Sequence, residues 1–219
     1  MTKGYDSLDF RVRKSLMYRK STHCLSVLTL NLHYVQSPDE RVTASLKDKR
    51  LTGRTLVAYK DTISSVEVVA KKIFEEHEYK VIEGLVIDKF FRQFFLTKSR
   101  NFQKRNSKGK LLPRILRVGK SENLLIKDFL RNCVTEMDLR RLLRFYGEID
   151  ATISQGGAPD LFVYSPKKES WFFVEIKSIS DSIGATQWNW IAVMQKNLPR
   201  RTLLLRILPR SGQLHEYGL

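Results

Sequence analysis

Three residues in the last third of the chain have the types and spacing for phosphoryl chemistry: Asp160, Glu175 and Lys177. They stand in the runs Pro159-Asp160 and Glu175-Ile176-Lys177, separated by two apolar segments and a polar turn, Ser165-Pro166-Lys167-Lys168-Glu169-Ser170. The pattern predicts strands over Asp160–Tyr164 and Trp171–Lys177. With the turn symmetric about the Lys167–Lys168 bond, Tyr164 lies opposite Trp171, Phe162 opposite Phe173, and Asp160 opposite Glu175. Directly opposed residues share a face, with Cβ atoms roughly 4.5–5.5 Å apart. Lys177, two residues beyond Glu175, shares that face. The other face carries Leu161, Val163, Phe172, Val174 and Ile176 and has to be packed. Two carboxylates this close repel each other, and one pKa rises unless a cation sits between them. Hard oxygen ligands suit Mg2+ or Mn2+. A lysine beside the ion can orient or help activate a water, while the ion stabilises charge on phosphate oxygens. The competing structural reading is a salt bridge between Lys177 and one carboxylate on an exposed edge.

The flanking residues support a site. Gly156-Gly157-Ala158-Pro159 precedes Asp160, where glycines let backbone approach a ligand closely and proline stiffens the strand entrance. Ser178-Ile179-Ser180-Asp181 follows Lys177 and can cap a helix predicted from about Ser182 to Lys196. On that helix Ile183, Gln187, Trp190, Ile191 and Met194 make a stripe at 3- and 4-residue spacing. Gln187 is its lone polar member and needs a hydrogen-bond partner, either in backbone or in the active site.

The elements that must position this hairpin are legible in outline. Leu28, Leu30, Leu32 and Tyr34 alternate with Thr29, Asn31 and His33, a half-buried strand pattern. Residues 37–54 are polar and basic and read as a loop. Ser64–Glu78 reads as a helix with a serine at the N-cap position and Val66, Val69, Ala70 and Ile73 on one face. Val81–Phe95 reads as a buried helix. Glu122–Tyr146 reads as one or two helices, with Leu124, Leu125, Phe129, Leu130, Leu139, Leu142 and Leu143 inward. Glu148–Ser154 reads as a short strand and Thr202–Leu208 as a final one. Helices and strands alternate, so the class is α/β. The division expected is a basic N-terminal extension over 1–60 and a principal domain over 61–219 with a basic insertion at about 96–121.

Composition limits the partners. The 219 residues are 42% apolar and 28% charged, globular values. No run of about 18 apolar residues occurs, so nothing is expected to span a membrane. The N-terminus MTKGYDSLDFRVRK lacks the apolar stretch of a signal peptide. Cys24 and Cys133 form no metal pattern, and both are expected to be reduced in an intracellular protein, nuclear if eukaryotic and cytoplasmic if prokaryotic or viral. Lys plus Arg is 39 against 23 Asp plus Glu, a formal net charge of +16 that points to a polyanion. From Thr97 to Lys120 there are nine basic residues and no acidic one. Within it Lys98, Arg100, Lys104, Arg105, Lys108 and Lys110 are candidates for phosphate contacts on DNA. The alternative is a solvated loop.

The run GGAPDLFVYSPKKESWFFVEIKSISDSIGATQWNWI resembles the virus-type replication–repair nuclease (VRR-NUC) domain, a branch of the PD-(D/E)xK nucleases. It most resembles the version in Fanconi-associated nuclease, where GG-x-PDL, a short hairpin, VE-x-K and D…Q…W occur in this order. The resemblance covers about Gln155–Met194 closely and Val66–Phe95 weakly. It implies a restriction-endonuclease-like core, a central mixed β-sheet flanked by helices. It also implies Mg2+- or Mn2+-dependent cleavage of branched DNA, flap or junction, in repair or recombination. By the same resemblance Asp160, Glu175 and the Ile176 carbonyl hold the metal, and Lys177 positions the attacking water. An upstream helix glutamate completes the site; Glu67 is the matching position and Glu83 the second choice. There is no room for the separate DNA-binding and helical-repeat domains of the full-length repair enzyme. Stand-alone members of the branch resemble dimeric Holliday-junction resolvases, which leaves a homodimer open. The other functions weighed are a restriction-type nuclease, for which no sequence-reading motif is evident, and a catalytically inert DNA-binding module, against which the presence of Asp160, Glu175 and Lys177 together argues.

Overall fold

The computed structural model describes residues 25–35, 56–96, 120–152, 157–178, 181–199 and 201–209. Among these residues seven strands form one sheet: β1 (Ser26–Tyr34), β2 (Leu56–Tyr59), β3 (Thr62–Ser65), β4 (Lys80–Glu83), β5 (Leu161–Ser165), β6 (Ser170–Lys177) and β7 (Thr202–Pro209). The order is β3-β2-β1-β7-β6-β5-β4. Strands β6, β7 and β1 pair in parallel and the remaining neighbours are antiparallel, so the sheet is mixed. Among the described residues five helices flank it: α1 (Val66–Glu76), α2 (Gly84–Leu96), α3 (Lys120–Asn132), α4 (Glu136–Thr152) and α5 (Ala185–Asn197). The expected α/β class, a central mixed sheet flanked by helices, is what the chain adopts.

Strands β5 and β6 carry aromatic and branched side chains on both faces, as central strands covered from both sides do. One face, with Phe162, Tyr164, Trp171 and Phe173, packs against α2, α3, α4 and α5 through residues such as Phe91, Phe129, Phe145 and Trp190. The opposite face, with Leu161, Val163, Phe172, Val174 and Ile176, packs against α1 through Val66, Val69, Ala70, Ile73 and Phe74. The hairpin register is the one the symmetric turn requires, from Ser165 opposite Ser170 to Leu161 opposite Val174. Glu169 takes a positive φ of 46° within that turn.

Several expectations need correction. Val81 and Ile82 belong to strand β4, not to a helix; the chain turns helical only at Gly84. A Cβ on Gly84 would lie 1.7 Å from the Pro159 carbonyl oxygen, and the Gly84 N–H donates to the Asp160 carbonyl at 2.8 Å. Glycine therefore lets the start of α2 press on the residues that carry Asp160. Helix α4 continues to Thr152, so no strand begins at Glu148. Ile149 is buried at helical spacing from Phe145 and Leu142, which holds that stretch in the helix. Leu124 and Leu143 point to solvent, 67% and 47% exposed, because Leu125, Phe129 and Leu142 occupy the inward faces. Finally, β1 and β2 are internal strands of the sheet, and residue 60 lies in the turn between β2 and β3. β1 pairs with β7 from Ser26 to Leu32.

Candidate active site

The site forms where β5 begins and β6 ends. Asp160 precedes Leu161, and its Oδ2 accepts the Ile176 N–H at 2.7 Å, tying the two strand ends together. Glu175 lies on β6, on the face of Phe173, and is 0% exposed. Lys177, 12% exposed, places Nζ 2.7 Å from Glu175 Oε1. The exposed-edge salt bridge weighed from sequence is therefore half right: the ion pair exists, but Glu175 is enclosed and β6 is an inner strand.

Helix α5 supplies the fourth group. Gln187 donates from Nε2 to Glu175 Oε1 at 2.6 Å and accepts at Oε1 from Lys177 Nζ at 3.2 Å and from the Gly184 N–H at 3.0 Å. Both partners weighed for this glutamine, backbone and active site, are found together. Gly184 is the N-cap of α5. Asp181 does not cap that helix; its Oδ2 accepts the N–H and hydroxyl of Ser178 and braces the chain just past Lys177. Gly157 approaches α5: with φ +83°, a Cβ there would meet the Thr186 carbonyl oxygen at 2.6 Å. Ile179, Ser180 and Gly156 lie outside the described residues.

The electrostatics are those of an underfilled acidic site. Burial pushes the Glu175 carboxyl up to about 7, and the Asp160 charge adds to this, against the pull of Lys177 and Gln187. Asp160 is also raised, first by burial; the Ile176 N–H and Lys177 oppose this, and the charge of Glu67 adds to it. Glu67, in the first turn of α1, is thus within electrostatic reach of Asp160. Glu83 is exposed and pairs with Leu161, whose side chain lies on the face opposite Phe162. Of the two upstream candidates, Glu67 is the one that Asp160 feels.

The donor set fits a hard divalent cation. Glu175 Oε2 and Glu67 Oε2 are buried and have no hydrogen-bond partner. A buried carboxylate oxygen without a donor is costly, and a cation is its natural complement. The side chains do not yet converge on one point: among the described residues no three His, Cys, Asp or Glu stand in metal-holding geometry. Both bonds to Glu175, from Lys177 and Gln187, go to Oε1, so the ion pair partly neutralises the cluster while Oε2 stays bare. Asp160, Glu175, Glu67 and the Ile176 carbonyl are the oxygens within this cluster that could hold the ion.

Residues 98–202 match the VRR-NUC domain family. Over that stretch the chain is similar to the VRR-NUC family. The match spans the basic segment, the hairpin and α5, and stops short of α1 and Glu67. Two crystal structures of paFAN1, bound to 5′-flap DNA with a gap and carrying one- and two-nucleotide flaps, are similar at 14% and 16% identity, with TM-scores of 0.42 and 0.43. Each likeness covers 84% of this chain, which spans 37% of that protein. No curated protein matches the chain. Lys98, Arg100, Lys104, Arg105, Lys108 and Lys110 lie inside the VRR-NUC match but outside the described residues. No helix among the described residues is long and apolar enough to cross a membrane.

One residue at this end of the sheet is missed from sequence. Arg206 interrupts the apolar run of β7 and stands opposite Lys177. A single cation inside a strand whose neighbours are leucine and isoleucine was the available signal.

Proposed function

We propose that this chain is a nuclease of the VRR-NUC type, metal-dependent, that hydrolyses phosphodiester bonds in branched DNA. The observation that carries the proposal is the enclosed pair Asp160–Glu175, with Glu175 Oε2 unpartnered and Lys177 on the same face. Asp160, Glu175, Glu67 and the Ile176 carbonyl would hold Mg2+ or Mn2+. When bound, the ion would offset the negative charge of the carboxylates and of the phosphate, making the phosphorus more open to attack.

The chain's own groups do the rest. Lys177 Nζ, already beside Glu175 Oε1, would hold the attacking water by a hydrogen bond and stabilise negative charge that builds on it. Gln187 would fix the Glu175 carboxylate through Oε1, keeping Oε2 turned to the metal position. The Ile176 N–H would fix Asp160 in the same way. The basic segment from Lys98 to Lys110 would hold DNA by its phosphates, without reading bases. The branched-DNA part of the proposal rests on the resemblance of the run Gln155–Met194 to the nuclease domain of Fanconi-associated nuclease.

The test is cleavage of end-labelled flap, splayed, four-way-junction and linear DNA with Mg2+ and, separately, Mn2+. The expected result is metal-dependent cutting of at least one branched substrate in preference to linear duplex. Equal cutting of linear DNA would remove the structural preference. No cutting of any substrate with either ion would leave an inert DNA-binding module.

A further inference from the structure

The end of the sheet beside Lys177 holds a second cation in a different state. In the parallel pairing of β6, β7 and β1, Lys177 lies opposite Arg206, and Arg206 opposite Thr29. In-register residues of adjacent strands share a face, and strands lie roughly 4.7–4.9 Å apart, so the two cationic side chains leave the sheet side by side. They line one pocket together with Asp181 and Ile183, which precede α5, and Trp188 on it. Lys177 is committed to Glu175 and Gln187. Arg206 Nε is buried and donates to nothing. Asp181, the carboxylate in the pocket wall, spends Oδ2 on the N–H and hydroxyl of Ser178.

A buried guanidinium N–H with no acceptor is unfavourable for folding, and β7 would pack without it. Its geometry is suited to phosphate, which accepts two parallel N–H bonds from a guanidinium. The pocket admits water-sized groups beside Lys177 and Arg206, so a phosphate oxygen can enter it. We propose that Arg206 receives a backbone phosphate of the strand being cut, one neighbouring the scissile phosphate, and so fixes the register of that strand across Lys177. The contact is sequence-independent, as phosphate contacts are. The inference rests on the nuclease reading of the Asp160–Glu175–Lys177 site and adds to it a positioning residue on β7.

The experiment reads binding apart from cleavage. Duplex DNA is bound in EDTA by the wild-type chain, Arg206→Gln and Arg206→Lys over a range of salt. Arg206→Gln should flatten the dependence of log K on log salt by about 0.9, the value for one lost phosphate contact on duplex DNA. Arg206→Lys should restore most of it. A single neutral methylphosphonate, walked through the duplex one linkage at a time, should at one position weaken wild-type binding as much as Arg206→Gln does and cost Arg206→Gln nothing further. The melting temperature of Arg206→Gln should not fall below that of wild type, since Nε has no partner to lose. An unchanged salt slope overturns the proposal. So does a lowered melting temperature with methylphosphonate effects that simply add. Cleavage of the same DNA with Mg2+ and Mn2+, run in parallel, separates the two claims. A flattened slope with no cutting by wild type keeps the Arg206 contact and sinks the nuclease reading; cutting with an unchanged slope sinks the Arg206 contact alone.

Discussion

Two buried carboxylates in this fold are handled in opposite ways. Asp88, on α2, is 3% exposed; its Oδ2 receives Arg92 Nε at 2.8 Å from one turn further along the helix, and its Oδ1 receives Trp190 Nε1 at 3.4 Å. Its two oxygens are both used, and its charge is matched by a cation of the same helix. Tyr146 beside it has its hydroxyl pushed well up, by burial first and by the Asp88 charge second. Glu175 is more deeply buried yet less well provided for. One oxygen takes both Lys177 and Gln187, the other takes nothing, and Asp160 adds a second negative charge. The difference separates a carboxylate that completes the protein from one that is itself incomplete. Asp88 ties α5 to α2 through Trp190; Glu175 Oε2 has lone pairs that no described residue satisfies.

The comparison can be broken first by kinetics. Asp160→Ala or Glu175→Ala should lower DNA cleavage by about a hundredfold or more while leaving DNA binding in EDTA nearly unchanged, because each removes a charge-stabilising oxygen and not a phosphate contact. Either variant retaining more than about a tenth of the wild-type rate would count against the assignment. The same substitutions at Asp88 should act through stability instead. Asp88→Ala removes the anion paired with the Arg92 guanidinium and the acceptor of Trp190, and should cost about 3 kcal/mol in urea unfolding. Glu175→Gln should go the other way. With no metal, near pH 8, it should stabilise the protein by roughly 1–3 kcal/mol, because it removes a buried charge beside Asp160.

The acidity of Glu175 sharpens the point. Its folded value of about 7 lies above the ordinary 4.5. A raised carboxyl contributes stability that is fully present below about pH 4.5 and is lost as pH rises toward 7. Metal-free wild type should therefore lose stability between pH 5 and pH 8, and the Glu175→Gln variant should lose less over the same window. Parallel curves would mean that Glu175 is already ionised and satisfied at pH 5. The smallest effect expected is at the upstream acid. Glu67→Gln should raise the Mg2+ concentration for half-maximal cleavage more than Glu83→Gln does, since Asp160 feels the charge of Glu67 and Glu83 is exposed. The reverse order would move the third carboxylate to β4.

The hairpin was legible because a polar turn with proline and two apolar strands leave one register that buries both faces, and that register brings the start of β5, where Asp160 accepts the Ile176 N–H, beside Glu175. The placement of β1 between β2 and β7 was not, since its parallel partner lies far along the chain and alternation names a strand without naming its neighbour. Val81 and Ile82 were merged with α2 because a four-residue strand running straight into a helix leaves one continuous apolar run. Gln187 was found because a lone polar residue in an apolar stripe demands a partner, but Glu67 could be named only by resemblance. The bareness of its Oε2 depends on how α1 meets the hairpin, which no local pattern records. Arg206 was passed over for a related reason: the side-by-side exit of two cations follows from the β6–β7 pairing alone.

The central claim, that the unpartnered oxygens beside Asp160 and Glu175 are a cation site, is tested most directly by calorimetric titration of Mn2+ into DNA-free protein at pH 6. A carboxyl with a pKa of about 7 is mostly protonated there, so binding should release a proton from Glu175, visible as a dependence of the heat on the buffer used. Wild type should bind with proton release, and Glu175→Gln should bind at least about tenfold more weakly without that release. Equal affinity and equal proton release in Glu175→Gln would contradict the account, because the ion would then be held somewhere other than the hairpin.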